Sequence, residues 1–210
     1  YLELAVDADH SGAPDLWSSM PDVFASTANH LVHGGWIPGT PWGFEVKLPQ
    51  GFPYQEAELD NFLGIEHWQQ LGVKLLDGRP LPLEPGPTAI LVLAGQHGPT
   101  FLVTQNFKAI LGYNYSTSYA LSVAYLGQRI LGGQGVVAPW PTTEPQLNLD
   151  EREEIQTRLA ARGYDVGTPD GILGLKTRKA IRRFQATIGW PQDGFANKAL
   201  LDALRQAPAV

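Results

Sequence analysis

Residues 133 to 147 read GQGVVAPWPTTEPQL, and this run limits what the chain can fold into more than any other. It holds three prolines and no apolar periodicity, so it continues neither a helix nor a sheet ladder. We read it as a linker that divides the 210 residues into two units, 1–132 and 148–208. The charge divides nearby. Residues 1–140 carry 12 Asp+Glu against 5 Lys+Arg, a balance of −7, whereas residues 141–210 carry 9 against 10, a balance of +1. A chain of this length buries roughly 70–75% of the surface its unfolded form exposes, so two modest units stand without covalent staples. With zero cysteines, disulfides, thiolate metal sites and cysteine redox chemistry are excluded, while the compartment stays open. Apolar runs such as AILVLAG are too short to span a bilayer, and no signal-peptide pattern precedes them. The chain opens on Tyr1 rather than Met, as expected of a processed product or a piece of a longer protein.

The first unit starts with DADHSGAPDLW, residues 7–17. Asp7, Asp9, Ser11 and Asp15 present oxygen around Gly12, the pattern with which a short loop wraps a hard cation; a polar turn is the plainer alternative. SMPDVFASTANHLVHGG follows as a helix, with Pro21 and Asp22 in its first turn and Gly34-Gly35 ending it. Phe24, Ala28, Leu31 and Val32 are its expected buried stripe. From 36 to 104, Pro/Gly punctuation surrounds short β-like runs at 44–49, 72–76, 88–95 and 100–104, with GQHG suggesting a hairpin between the last two. This reads as a small β subdomain within a helical body. NFKAILGYN resumes helical spacing, and STSYALSVAYLGQRIL forms the next helix from a Ser N-cap to Gly132-Gly133.

The second unit is all-α. LDEREEIQTRLAARGY places Ile155, Leu159 and Tyr164 inward, KTRKAIRRFQATIG does the same with Ala180, Ile181 and Phe184, and ANKALLDALRQ completes three helices. Asp-Gly precedes the second helix at 170–171 and the third at 193–194, as turn chemistry requires. The run from 163 to 194 carries D-G-x-x-G-x-x-T-x-x-A-x-x-x-F-Q at Asp170, Gly171, Gly174, Thr177, Ala180, Phe184 and Gln185. In this it resembles the peptidoglycan-binding three-helix module, which implies the wall polymer as ligand. The basic run KTRKAIRR lacks interleaved stacking aromatics and lies in a near-neutral unit, which argues against a nucleic-acid partner.

The first unit is similar to the second half of the catalytic domain of murein hydrolases of the soluble-lytic-transglycosylase-B type. The carrying residues are the Asp loop with its helix, WIPGTPWGFEVKLP, and N-F-x-x-I-x-x-Y-N-x-S-x-x-Y-A at Asn106, Phe107, Ile110, Tyr113, Asn114, Ser116, Tyr119 and Ala120. The resemblance implies an α+β fold: a mostly helical, lysozyme-like core portion with a β subdomain, followed by the three-helix domain. It implies a calcium-holding, EF-hand-like loop over 7–22, with Asp7, Asp9, Ser11, the Ala13 carbonyl and Asp15 as ligands. Ser18 stands where such loops carry glutamate, and Asp22 is expected to close the shell. It further implies that Tyr113, Asn114 and Tyr119 line a sugar cleft, with His30 where the family often has tyrosine. Tyrosine rings stack on pyranose faces, and an Asn amide both donates and accepts. Half-buried core for Tyr119 and a turn role for Asn114 are the plainer readings.

Members of this family cleave the N-acetylmuramic acid β-1,4-N-acetylglucosamine bond with one glutamate, forming a 1,6-anhydro ring. That glutamate needs a pKa raised by burial. In the family it precedes the calcium-like loop, and no matching segment occurs in these residues; Glu3, Glu45 and Glu66 sit in ordinary strand or helix chemistry. The expectation is a cell-envelope or periplasmic portion of a lytic transglycosylase that holds peptidoglycan glycan strands without its proton donor, and uses no organic cofactor. A non-catalytic wall-binding protein is the alternative.

Overall fold

The computed structural model describes residues 3–83 and 86–207; the predicted unit ends at residues 1–2 and 208 lie outside them. The architecture is α+β. Helix α1 (Met20–His33) leads to strand β1 (Gly43–Lys47), helix α2 (Ile65–Gln70) and strands β2 (Lys74–Leu75), β3 (Ala89–Val92) and β4 (Thr100–Val103). Helices α3 (Gln105–Tyr113) and α4 (Thr117–Ile130) close the first unit, and α5 (Leu149–Ala160), α6 (Leu175–Thr187) and α7 (Lys198–Gln206) form the second.

The sheet is antiparallel in the order β2-β1-β4-β3, and β3 pairs β4 from Ala89↔Val103 to Val92↔Thr100, the hairpin expected around GQHG. All residues of β3 and β4 are buried. Because side chains alternate across a strand, Ala89, Leu91, Phe101 and Val103 pack with Phe107, Ile110, Ala120 and Leu121 of α3 and α4. Ile90, Val92 and Leu102 face the other way, onto Ile65 and Trp68 of α2. Two cores thus share one sheet, which explains the unbroken apolar reading of these strands. The β-like run expected over 88–95 ends sooner, since Gly95 opens a short 3-10 turn, Gly95–His97.

Helix α1 starts as the sequence indicates: the Ser19 side chain accepts from the Asp22 N–H, and Gly34 caps the other end. Its expected buried stripe does not form. Phe24 and Val32 are 66% and 56% exposed, Ala28 is also exposed, and only Leu31 packs against the core. The buried side is polar: Asp22 and Ser26 are inside, with Ser26 Oγ accepting from Val6 N and Asn29 donating to Leu4 O. Helical periodicity identifies an apolar stripe but not what covers it.

In the second unit Ile155, Leu159, Ala180, Ile181, Phe184, Leu200, Leu201 and Leu204 form one core, each large side chain contributing about 1.5–3 kcal/mol by burial. Its two Asp-Gly turns are built alike. Gln156 Oε1 accepts from Gly171 N at 2.7 Å, and Gln185 Oε1 accepts from Gly194 N at 2.9 Å. Both glycines have positive φ, +73° and +70°.

The units are joined through polar groups. Arg182 of α6 is buried against Glu58 and also donates to Ala57 O at 3.3 Å. The Asp193 side chain accepts from Gln96 N at 2.9 Å. The 133–147 run contains no helix or strand, and Glu45 of β1 anchors it by accepting from Val137 N (2.9 Å) and Ala138 N (2.5 Å).

Candidate functional site

The end of α3, the turn after it and the start of α4 carry the expected sugar-facing residues. Asn114 ends α3 in an extended conformation, and Ser116 caps α4 by accepting from Tyr119 N. This short turn brings the Tyr113 and Tyr119 rings into a near-parallel pair, with centroids 6.4 Å apart and planes inclined by 13°. The His30 and Tyr113 rings meet nearly at right angles with centroids 5.3 Å apart, so α1 supplies the third ring of an aromatic platform. Tyr113 is 57% and Tyr119 38% exposed, and Asn114 is exposed beside them. At this exposure Tyr119 fits the half-buried reading as well as the sugar-facing one. Asn106 of the same pattern is instead structural: fully buried, it donates to Ile37 O and Thr40 O and accepts from Ile37 N, pinning the 37–40 loop.

The Asp loop divides. Carboxylate oxygens of Asp7, Asp9 and Asp22 lie within 4.8 Å of one another. Asp22 is buried and accepts from Ala8 N (2.7 Å), Asp9 N (3.2 Å) and Asp15 N (2.8 Å), which ties the loop to α1. Asp7 accepts from Ser11 N and Gly12 N, and Asp9 from Ser11 N and the Ser19 hydroxyl. Asp15 stands apart from the cluster and accepts from Trp17 N and Ser18 N, while Ser11 Oγ donates to Ala13 O. The N–H of Asp15 holds the Asp22 carboxyl below its ordinary range, the Ser19 hydroxyl does so for Asp9, and the Trp17 N–H for Asp15. Three clustered carboxylates are an all-oxygen donor set, the chemistry a hard divalent cation takes.

No internal glutamate named in the sequence has the setting of a proton donor. Glu3 and Glu66 are exposed, and both oxygens of Glu45 anchor the connector. Glu45 also lies by Tyr125, whose phenol is pushed up by burial and then by the Glu45 charge. Sequence reasoning missed this anchoring, along with the roles of Glu58 and Arg182, because partners 92, 93 and 124 residues apart leave no local pattern.

Among the described residues no helix is long and apolar enough to cross a bilayer. Comparison with known proteins matches residues 1–128 to the transglycosylase SLT domain and residues 148–204 to a peptidoglycan binding domain. Membrane-bound lytic murein transglycosylase B of Escherichia coli (strain K12) is 28% identical over 135 residues, which is 62% of this chain and 35% of that protein. The crystal structure of SltB3 from Pseudomonas aeruginosa in complex with NAG-anhNAM-pentapeptide is 48% identical with a TM-score of 0.92, covering 98% of this chain and 55% of that one. The SltB3 complex with NAG-NAM-pentapeptide is 49% identical with the same TM-score, at 97% and 55% coverage. The chain therefore spans about a third to about half the length of these relatives. On the match over residues 1–128, backed by a lysozyme-like α+β fold shared with SltB3, the chain belongs to the transglycosylase SLT domain family and carries a peptidoglycan binding domain behind it.

Proposed function

We propose that this chain is the glycan-holding portion of a lytic murein transglycosylase of the cell envelope, acting in the periplasm. The observation that carries the reading is the platform of His30, Tyr113 and Tyr119 with Asn114 at its edge. Two exposed, nearly parallel rings offer stacking faces to a pyranose, and the carboxamide matches sugar hydroxyls or an acetamido group. The likeness to SltB3, solved with NAG-anhNAM-pentapeptide and NAG-NAM-pentapeptide, supports the same ligand class.

In the reaction so inferred, a protonated glutamate gives its proton to the leaving N-acetylglucosamine O4 as the bond from muramyl C1 breaks. The resulting carboxylate takes the proton of the muramyl 6-hydroxyl, whose oxygen closes on C1 to form the 1,6-anhydro ring. The glutamate is contributed from outside these residues; this chain binds and orients the saccharide. Calcium is the cation that fits the loop, held by Asp7, Asp9 and Asp22. Bound, it would offset two of the three carboxylate charges and fix the loop to α1. Asp15 lies outside that cluster and joins the shell only by turning towards it, whereas Ser11 Oγ and the Ala13 carbonyl, hydrogen-bonded to each other, keep lone pairs free for a cation.

Co-sedimentation with purified sacculi tests the reading. Tyr113→Ala/Tyr119→Ala is expected to lower the pelleted fraction, because it removes both ring faces. Unchanged pelleting of the double variant rejects the platform as a glycan contact.

A further inference from the structure

Where the two units meet, the 48–55 segment after β1 and the 189–192 turn after α6 enclose an open groove of about 710 Å³. That size lies within the range of ligand clefts. The side chains that matter are four carboxamides, Gln50, Gln55, Gln96 and Gln192, and two aromatic rings, Tyr54 and Trp190. Among the described residues no Asp, Glu, Lys or Arg lines it, although 17% of the chain is charged. Gln50, Gln55 and Gln192 are exposed, and Trp190 is 38% exposed.

We propose that this groove is a second glycan-binding site, assembled half from each unit, for a neutral N-acetylated segment of the strand. The proposal rests on the peptidoglycan reading above and adds where, and with what chemistry, the second unit takes part. Carboxamides donate and accept at once, matching acetamido and hydroxyl groups, and ring faces match the apolar faces of pyranoses. A stem peptide brings carboxylates and amines, and the one carboxylate beside the groove, Asp193, already accepts from Gln96 N and Gln185 Nε2.

The walls are fixed before any ligand arrives. Tyr54 is held edge-on by buried Phe52 at 5.4 Å, and Trp190 N donates to Gln185 O at 2.9 Å. Across the junction, Glu58 meets Arg182 and Gln96 N donates to Asp193. At Gly95 the units approach so closely that a Cβ would lie 2.8 Å from Asp193 Oδ2 and 2.9 Å from Phe195 Cβ. A groove built in place spares the ordering cost of binding. With the aromatic platform it holds one strand at two points of one rigid body, which raises the effective concentration of the second contact.

The test is titration of the full chain with the β-1,4-linked tetramer of N-acetylglucosamine, read by calorimetry, in a Tyr113→Ala/Tyr119→Ala background that removes the first platform. Binding is expected to persist there. Adding Trp190→Ala, or Gln50→Ala/Gln192→Ala with one change on each wall, is expected to weaken it at least about tenfold. These are surface positions, and circular dichroism confirms folding. Free stem peptide is expected not to compete. If neither change alters the affinity, or if stem peptide displaces the tetramer, while the unmodified chain still pellets with sacculi, the groove assignment is wrong and the broader reading stands. If the unmodified chain fails to pellet, the broader reading fails and takes the groove with it.

Discussion

Removing Glu58 tests the account of how the two units are held together. Its side chain and that of Arg182 are 12% and 8% exposed, and Arg182 Nε has no hydrogen-bond partner among the described residues. Glu58→Ala therefore leaves a desolvated cation with Ala57 O as its remaining acceptor. Stripping one partner from a buried pair costs about 3–5 kcal/mol, whereas replacing both by apolar groups of similar volume is neutral or stabilising by about 1–4 kcal/mol. The expectation has a definite shape: Glu58→Ala and Arg182→Met each destabilise, and Glu58→Leu/Arg182→Met recovers most of the loss. Urea unfolding followed at separate probes for the two units is the assay. With the pair intact the transitions are expected to coincide, and in either single variant the units are expected to separate, so the midpoints and not one extrapolated free energy carry the comparison. A Glu58→Ala protein whose two transitions still coincide at the unchanged midpoint refutes the clamp.

Three further outcomes follow from the same geometry. With calcium affinity on the order of 10⁻⁴–10⁻³ M, about 10 mM calcium stabilises by roughly 1.4–2.7 kcal/mol, and Asp7→Ala/Asp9→Ala abolishes the shift in thermal midpoint. In the second unit, Arg205 and then Arg158 hold the Glu154 carboxyl at about 2, against an ordinary 4.5. Because that folded value is depressed, the stabilisation is complete above pH 4.5 and lost as pH falls towards 2, so an acid titration of Glu154→Gln should lack this part of the loss. Phe24, Leu126 and Ile130 are 66%, 62% and 76% exposed, and sedimentation should show concentration-dependent association that Phe24→Ser/Ile130→Ser reduces.

The parts of the fold legible in the sequence are those fixed by local patterns. Pro21 and Ser116 mark helix starts, and the Asp-Gly pairs mark turns through local bonds from Asp170 and Asp193 to the N–H two residues on, although Gln156 and Gln185 complete those turns from farther away. The β3–β4 hairpin is legible because both strands are continuous apolar runs. What the sequence hides depends on partners far along the chain. Phe24 and Val32 satisfy helical spacing yet face outward, since the polar side of α1 is claimed by the Asp loop. KTRKAIRR reads as a uniformly basic run, yet its Arg182 is buried at the junction. Within the loop, alternate spacing treats Asp15 as equivalent to Asp7 and Asp9, but its side chain turns to Trp17 N and Ser18 N. The Tyr113–Tyr119 pair lies between these cases: six residues and one turn suffice to stack it, while His30 joins from another helix.

The central claim is that this chain holds the glycan and does not itself supply the proton. Incubating it with purified peptidoglycan sacculi, with and without calcium, then pelleting the wall and analysing the supernatant by mass spectrometry, tests that claim most directly. The account predicts protein in the pellet and no 1,6-anhydro-muropeptides in the supernatant. Release of 1,6-anhydro-muropeptides by the chain alone would place a proton donor among its own carboxylates and contradict it.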